Sequence, residues 1–562
     1  MNQGENKIAI LSNCNSELIK NYIKVEAEKR KIFIKCQCFD YSRMSLSVLN
    51  PDFVQLKPEV VIIVISSHIL YEEYQRANRE DKSGFAERYI REINDVWKVI
   101  QENGSIIFQT NCIDIPDNTH GNCTLKFEDS FLYQIRKLNY LLAERCKNNQ
   151  GIIPFDILKY QSRFGYDYVF SADTFFAALM PYSLPFIKLF VREWFHLYES
   201  VNGLIVKCIV VDLDNTIWGG IVSEDGIGEL LLSGSGEGRA FHYFQLWLKS
   251  MKESGLMLAI CSKNDHKLVF QVFKEREDMV LKWEDFSAYE INWDNKAQGI
   301  ERIKNRLGIS FDNMVFIDDS IFERENVKNE IPELIVPDMP QNPSKYIEFL
   351  SSLNIFESCI VDNLGEKRAA HFKNESKRDN LRLASLREDV YLKKLEMKLQ
   401  FARVTRRQSE RVAQLLNRCN RFNLRTKRAT VYQVEQLIED DSCYLIYFTL
   451  EDIYEDYGII SVIIGKKIDD DKVFIDNWVL SCRAFGRGVE TAVCNSFVSL
   501  MKQMEIKQIV GEYIPNNKNE IVKELFSKLG FDICEDGTYI LNVDSYSDLT
   551  NYISVEYGGN DA

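Results

Sequence analysis

The sequence predicts a multidomain α/β protein, and three observations predict it. The chain has 562 residues, more than one hydrophobic core serves, and about 150 residues per domain gives roughly three or four domains. Short β-branched runs alternate with longer amphipathic stretches in two successive series, the rhythm of parallel sheets covered by helices. A third set of long apolar runs, read as the strands of a further domain, follows beyond residue 400.

The first series supplies strands at KIAILS, KIFIKC, PEVVIIVISS and GSIIFQT, and defines an α/β domain over 1–200. The second runs through KCIVVDLDNT, LMLAICSKND and MVFIDDS to ELIVPDMP, and defines a domain over 201–350. Between these strands FHYFQLWLKSMKESG and KAQGIERIKNRLG have helical spacing and end in glycine, as helix C-termini often do. The charged stretch 351–400 reads as a helical connector. Over 401–550, CYLIYFTL, YGIISVIIG, KVFIDNWVLS and KQIVGEYI supply strands, and 551–562 is a polar tail.

Composition narrows the function. Hydrophobic residues make up 45% of the chain and the net charge is −14. That balance argues against nucleic acid as the main partner, because phosphate backbones reward an excess of Lys and Arg. The 14 cysteines form no CxxC pair, so neither a zinc knuckle nor a disulfide framework is indicated. The longest apolar stretch, FFAALMPYSLPFIKLF, holds Pro181, Pro185 and Lys188, which argues against a membrane span. No signal peptide is recognisable at the N-terminus. The expectation is a soluble, cytoplasmic protein.

The chemistry lies where the strands of the second domain end. In open α/β sheets ligands bind at the carboxyl ends of strands. Asp212 and Asp214 end the first strand, Cys261 and Ser262 the second, and Asp318 with Asp319 a later one, while Lys296 opens a helix after the turn NWDN. A lone D-x-D is a weak signal, since acidic pairs at strand ends are commonly solvated turn residues. The ordered set of four resembles the haloacid dehalogenase-like (HAD-like) phosphotransferase superfamily: an acidic DxDxT, a Ser or Thr after a strand, a Lys, and an acidic pair. The resemblance implies a Rossmannoid fold and a magnesium ion held by Asp212, the Asp214 backbone carbonyl and Asp318. Asp212 is the expected nucleophile, since a carboxylate that attacks phosphorus divides one difficult displacement into two easier ones. Asp214 is the expected general acid, then base. Ser262 would donate to a phosphoryl oxygen and Lys296 would balance its charge. The Gly-rich stretch IWGGIVSEDGIGELLLSGSGE leaves room for a hairpin flap and for only a minimal cap.

Longer stretches, DLDNTIWGGIVSEDG, AICSKND, MVLKWEDFSAYEINWDNKAQGI and FIDDSIFERE, resemble the FkbH-like family. That resemblance implies an enzyme that takes the glyceryl unit of 1,3-bisphosphoglycerate, removes phosphate, and loads a phosphopantetheinylated acyl carrier protein in polyketide or related biosynthesis. Cys261 is then either the thioester nucleophile, its thiolate favoured by Lys263 or Lys296, or a small buried strand residue. His266 is either a proton carrier or a surface side chain. Two other readings stand beside this one: a plain phosphatase of a small phosphorylated metabolite, and a non-catalytic interaction protein, against which the intact motif set speaks.

The outer domains carry fainter resemblances. In SCRAFGRGVETAV, Arg483, Gly486 and Gly488 fit the R-x-x-G-x-G of GNAT-type acetyltransferases, which implies an α+β fold and a site for the pyrophosphate of coenzyme A at a helix N-terminus. Asn516 or Asn519 and Gly530-Phe531 fit that family's closing pattern. Arg403, Arg406, Arg407, Arg411, Arg418, Arg421, Arg425, Lys427 and Arg428 form a basic cluster that is either a docking face for an acidic carrier protein or a solvated surface. The first domain resembles an SGNH-hydrolase-like region, with Ser12 and Asn13 after its first strand. Asp173 there lacks the histidine three residues on, so a structural or partner-binding role is expected.

Overall fold

The computed structural model describes residues 6–558 apart from 41–43, 118, 148, 150, 202–204, 233–235, 358–373, 375–377, 379–380, 383–384, 386, 420, 482–483, 486 and 517–518. The chain forms two compact units. One comprises 1–198 with 429–437 and the other 199–428 with 438–562. Among the described residues no helix is long and apolar enough to cross a membrane.

The first unit is a parallel sheet of β1 (Asn6–Ser12), β2 (Ile34–Asp40), β3 (Val60–Val64), β4 (Ile106–Thr110) and β5 (Ile152–Phe155), in the order β2-β1-β3-β4-β5. Every residue of β3 is buried, as expected of a central parallel strand covered on both faces. The sequence reading lacks β5, a strand of four residues that includes Pro154. Residues 429–437, assigned from sequence to the third domain, group with this unit instead. There Tyr432 and Gln433 approach Gly104 so closely that a Cβ at Gly104 would lie 3.5 and 3.6 Å from them.

In the second unit β6 (Cys208–Val211), β7 (Met257–Ser262), β8 (Phe286–Ile291) and β9 (Met314–Ile317) form a parallel sheet in the order β8-β7-β6-β9. The pleat sends alternate residues into two cores. Ile209, Val211, Ile260 and Ile317 pack with Trp218 and Phe244 on one face, and Val210, Ala259 and Phe316 pack with Ile300 and Ile303 on the other. ELIVPDMP, read as continuing this series, adds only an isolated bridge from Ile335 to Val315.

The same unit holds an eight-stranded mixed sheet. Its strands are β10 (Lys398–Arg403), β11 (Cys443–Glu451), β12 (Asp456–Asp469), β13 (Lys472–Leu480), β14 (Gln508–Gly511), β15 (Asp532–Ile533), β16 (Tyr539–Asn542) and β17 (Ser554–Tyr557). Their order is β15-β16-β14-β13-β12-β11-β10-β17. The expected polar tail thus contributes β17, which pairs in parallel with β10.

Strands β13 and β14 pair only as far as Ile475 and Gly511. Beyond that point the chain's own Phe422–Leu424 segment takes up the backbone groups of β13 and of the residues after β14. Leu424 N donates to Trp478 O and Leu480 N to Phe422 O, each at 3.2 Å, and Ile514 N donates to Leu424 O at 2.9 Å.

Candidate functional site

The register of the central sheet sets the site. Val211 lies opposite Ile260 on one side and Ile317 on the other, so Asp212 and Asp318 leave neighbouring strands at one level. The Asp212 backbone N–H donates to Ile317 O at 2.9 Å. Lys296 reaches this level from the first turn of the helix Lys296–Leu307, whose N-cap Asn295 accepts from Ala297 N and whose C-cap Gly308 takes the left-handed conformation.

Lys296 Nζ lies 3.0 Å from Asp212 Oδ1 and 2.6 Å from Asp318 Oδ2. All three side chains are buried. Burial alone would lower the Lys296 ammonium, but the two carboxylates raise it well above its usual value. Burial, and after it the Asp212 carboxylate, push the Asp318 carboxyl up, and the same two causes raise Asp319.

Asp212, Asp318 and Asp319 each offer an oxygen within 4.8 Å of the others. An all-oxygen carboxylate set with one buried ammonium beside it suits a hard divalent cation such as magnesium. Asp319 extends the ligand set read from sequence; the acidic pair FIDDS was its signal. Thr216 and Arg324 support this corner: Thr216 Oγ1 accepts from Asp319 N at 3.2 Å, and Arg324 donates to the Asp318 and Asp319 carbonyls at 2.7 Å.

The Asp214 side chain is held by three donors. Its Oδ1 accepts from Trp218 Nε1 at 2.8 Å and Val222 N at 3.1 Å, and its Oδ2 accepts from Asn264 Nδ2 at 2.8 Å. Burial raises its carboxyl against the pull of those donors. Val222 belongs to the segment expected to be a hairpin flap, whose described residues form isolated bridges from Trp218 to Asp214 and from Gly219 to Leu231 together with short helical turns. Gly219 is required there, since a Cβ would stand 2.7 Å from the Phe241 ring. Neither Trp218 nor Asn264 carries a motif signal by itself, because the fold brings both to Asp214.

Ser262 is buried at the end of β7. Cys261 shares the sheet face of Asp212 and Asp318, but its thiol is 2% exposed, donates to Lys296 O at 3.5 Å and lies under Gly299, where a Cβ would be 3.0 Å away. Burial pushes this thiol up to about 12, against the pull of Lys296. Lys263 pairs with Glu323 at 2.7 Å, and exposed His266 sits against Trp283 and Tyr289.

In the mixed sheet Gly488 caps the helix Val489–Gln503 in the left-handed conformation, while Arg483 and Gly486 lie outside the described residues. Asn519 is buried and precedes a single 3₁₀ turn. Within the basic cluster Arg425 is ion-paired to Asp476 at 2.7 Å and Arg406 to Glu439. In the first unit Ser12 is fully buried and accepts from Cys14 N at 3.1 Å, Asn13 Oδ1 accepts from Ser66 N at 2.7 Å, and Asp173 is exposed.

Residues 7–198 match the family model for the FkbH N-terminal domain. The crystal structure of the N-terminal part of BF1531 from Bacteroides fragilis, described as containing a phosphatase domain complexed with Mg, is 31% identical. It covers 63% of this chain and 95% of its own, with a TM-score of 0.60. Two further structures match more weakly. The ribosomal-protein-S18-alanine N-acetyltransferase from Escherichia coli has 10% identity and a TM-score of 0.21, over 27% of this chain and 97% of its own. Ard1 from Thermoplasma volcanium has 16% identity and a TM-score of 0.21, over 26% and 97%. No curated protein matches. The matched N-terminal domain and the identity across the BF1531 fragment establish that the chain belongs to the FkbH-like family.

Proposed function

We propose that the chain is a magnesium-dependent HAD-like phosphatase or phosphotransferase that dephosphorylates a phosphoglycerate-type metabolite and passes the glyceryl or a related acyl unit to a phosphopantetheinylated acyl carrier protein in the cytoplasm. The observation that carries the phosphatase part is the convergence of Asp212, Lys296 and Asp318 within 3.0 Å contacts at the strand ends. The BF1531 fragment, with its phosphatase domain and bound Mg, supports it.

The residues supply the steps in order. An Asp212 oxygen attacks phosphorus as the ester or acyl oxygen leaves, and Asp214 gives that oxygen its proton. Asp214 then takes a proton from water as the water attacks phosphorus, which frees Asp212 and inorganic phosphate. Lys296 offsets the charge gathered between Asp212 and the phosphoryl oxygens, and Ser262, at the end of the adjacent strand, is the donor for one of them. Magnesium, held by Asp212, Asp318 and Asp319, would supply electrostatic shielding and orientation of the phosphoryl group.

The acyl-transfer part rests on the family resemblance. A plain phosphatase is the second reading, and the burial of the Cys261 thiol under Lys296 and Gly299 favours it. Intact-protein mass spectrometry separates the two: the chain is incubated with 1,3-bisphosphoglycerate, magnesium and a phosphopantetheinylated carrier protein, alongside Asp212→Asn. Glyceryl mass on the carrier with the native chain and none with the variant supports coupling. Phosphate release without mass transfer supports the plain phosphatase.

A further inference from the structure

We infer that Lys263 is a specificity-determining residue of this site: it receives a second anionic group of the phosphorylated substrate, and Glu323 holds it in place beforehand. The inference rests on the phosphatase reading above.

Sheet order carries the geometry. Lys263 follows the last residue of β7, and Glu323 lies in the first turn of the helix Ile321–Glu330 that follows β9. Strand β6, which Asp212 follows directly, runs between β7 and β9. The 2.7 Å ion pair from Lys263 Nζ to Glu323 Oε1 therefore crosses the end of the strand that carries the nucleophile.

Both ends of this pair are anchored. On one side Ser262 is buried and Asn264 is bonded to Asp214 Oδ2 at 2.8 Å. On the other, Ser320 Oγ accepts from Glu323 N at 3.4 Å. The Lys263 side chain is 34% exposed, against 5% for Lys296.

The two lysines at the strand ends differ in what they have left to offer. The charge of Lys296 is taken up by Asp212 and Asp318 in a buried contact. Among the described residues Lys263 has one carboxylate partner, in a part-exposed pair that water weakens and that an incoming anion can replace. Asp212, Asp214, Asp318 and Asp319 would repel a second substrate anion unless a cation met it, and a charge-assisted hydrogen bond from Lys263 meets it. Beside Lys263, Asn264 is 2% exposed and its Oδ1 has no hydrogen-bond partner among the described residues, an acceptor suited to a substrate hydroxyl. The ligand class is thus a short phosphorylated hydroxy compound with a carboxylate or second phosphate a few bonds from the reacting phosphoryl group.

Three compounds test it with the full chain and magnesium: glycerol 3-phosphate, 3-phosphoglycerate, which adds a carboxylate, and propane-1,3-diol bisphosphate, which carries a second phosphate. The native chain should prefer one or both of the compounds that carry a second anionic group in kcat/KM by about tenfold, the yield of one charge-assisted hydrogen bond, and the compound preferred identifies the anion. Lys263→Met should erase that preference through KM, Lys263→Arg should retain most of it, and Glu323→Gln should lower KM for the preferred compound. An equal loss for all three compounds in Lys263→Met, or an unchanged preference, overturns the inference. Calorimetric binding of the same compounds to Asp212→Asn, with and without Lys263→Met, needs no turnover. If nothing is hydrolysed but binding shows the Lys263-dependent preference, the phosphatase reading falls and this inference stands. If all three are hydrolysed without preference, the reverse holds.

Discussion

Asn264 donates its side-chain amide to Asp214 at 2.8 Å, so the loop after β7 orients the carboxylate that follows β6. With Trp218 and Val222 on the other oxygen, the candidate acid and base is fixed by a strand end, a flap and a neighbouring loop at once. Asn264→Ala should lower kcat by about tenfold to a hundredfold, as loss of an orienting partner does. Initial rates of phosphate release check this, and a change confined to KM would count against it.

Lys296 holds two buried carboxylates together, and removing it leaves them facing each other without a cation. Lys296→Met should destabilise the folded chain by about 3–5 kcal/mol, and adding Asp318→Asn should restore part of the loss. Urea denaturation of the native chain, the single variant and the double variant measures both effects. A single variant as stable as the native chain would refute the account.

The Cys261 thiol is closed in and raised to about 12, whereas Cys123 is exposed. Since the thiolate is the reactive form, brief iodoacetamide treatment of the native chain at neutral pH should label Cys123 and spare Cys261. Peptide mass mapping shows which thiol is alkylated. Rapid labelling of Cys261 would mean that the cover formed by Lys296 and Gly299 opens.

In the first unit His68 bonds to the Tyr166 hydroxyl at 2.7 Å and stacks on Phe170 at 3.8 Å. Burial lowers its pKa from 6.5 to about 4. The unfolded chain therefore binds more protons than the folded one between these values, and stability is lost as pH falls from about 6.5 to about 4. His68→Phe should flatten that part of the profile. Melting temperatures across this window, native against variant, decide it, and parallel profiles would exclude the effect.

Asn519 donates to the Asn423 and Ile514 carbonyls at 2.9 Å each and is fully buried. Asn519→Ala leaves both acceptors without this donor and should cost about 1–3 kcal/mol. Chemical denaturation followed by tryptophan fluorescence reads it out, with Trp478 inside the affected core.

How much of this was legible in the sequence depends on what encodes each part. Parallel strands buried on both faces must be continuous apolar runs, so β1, β3, β4, β6, β7 and β9 stand out, and polar residues just beyond them mark the site. Strand β8 is buried only at Ala288 and Ile291 and carries Ser287 and Glu290, and β17 is exposed along its length, so neither carries that signal. Asp212, Asp214, Ser262, Lys296 and Asp318 are legible because chain spacing and strand ends together place them. Trp218, Asn264, Arg324 and Glu323 act through contacts that only the folded register creates. Cys261 shows the converse: its position beside Ser262 is visible, but its cover comes from a helix that begins 35 residues later.

The Phe422–Leu424 segment between β13 and β14 has a thermodynamic meaning of its own. It is tethered to the sheet whose hydrogen bonds it completes, so it is present at an effective concentration on the order of millimolar. An extended, amide-bearing ligand seeking the same backbone groups must outcompete it, and its apparent affinity falls by the fraction of time the segment is displaced. The divergence of the two strands is thus a self-ligated edge, whose availability to an outside molecule is governed by the stability of three residues.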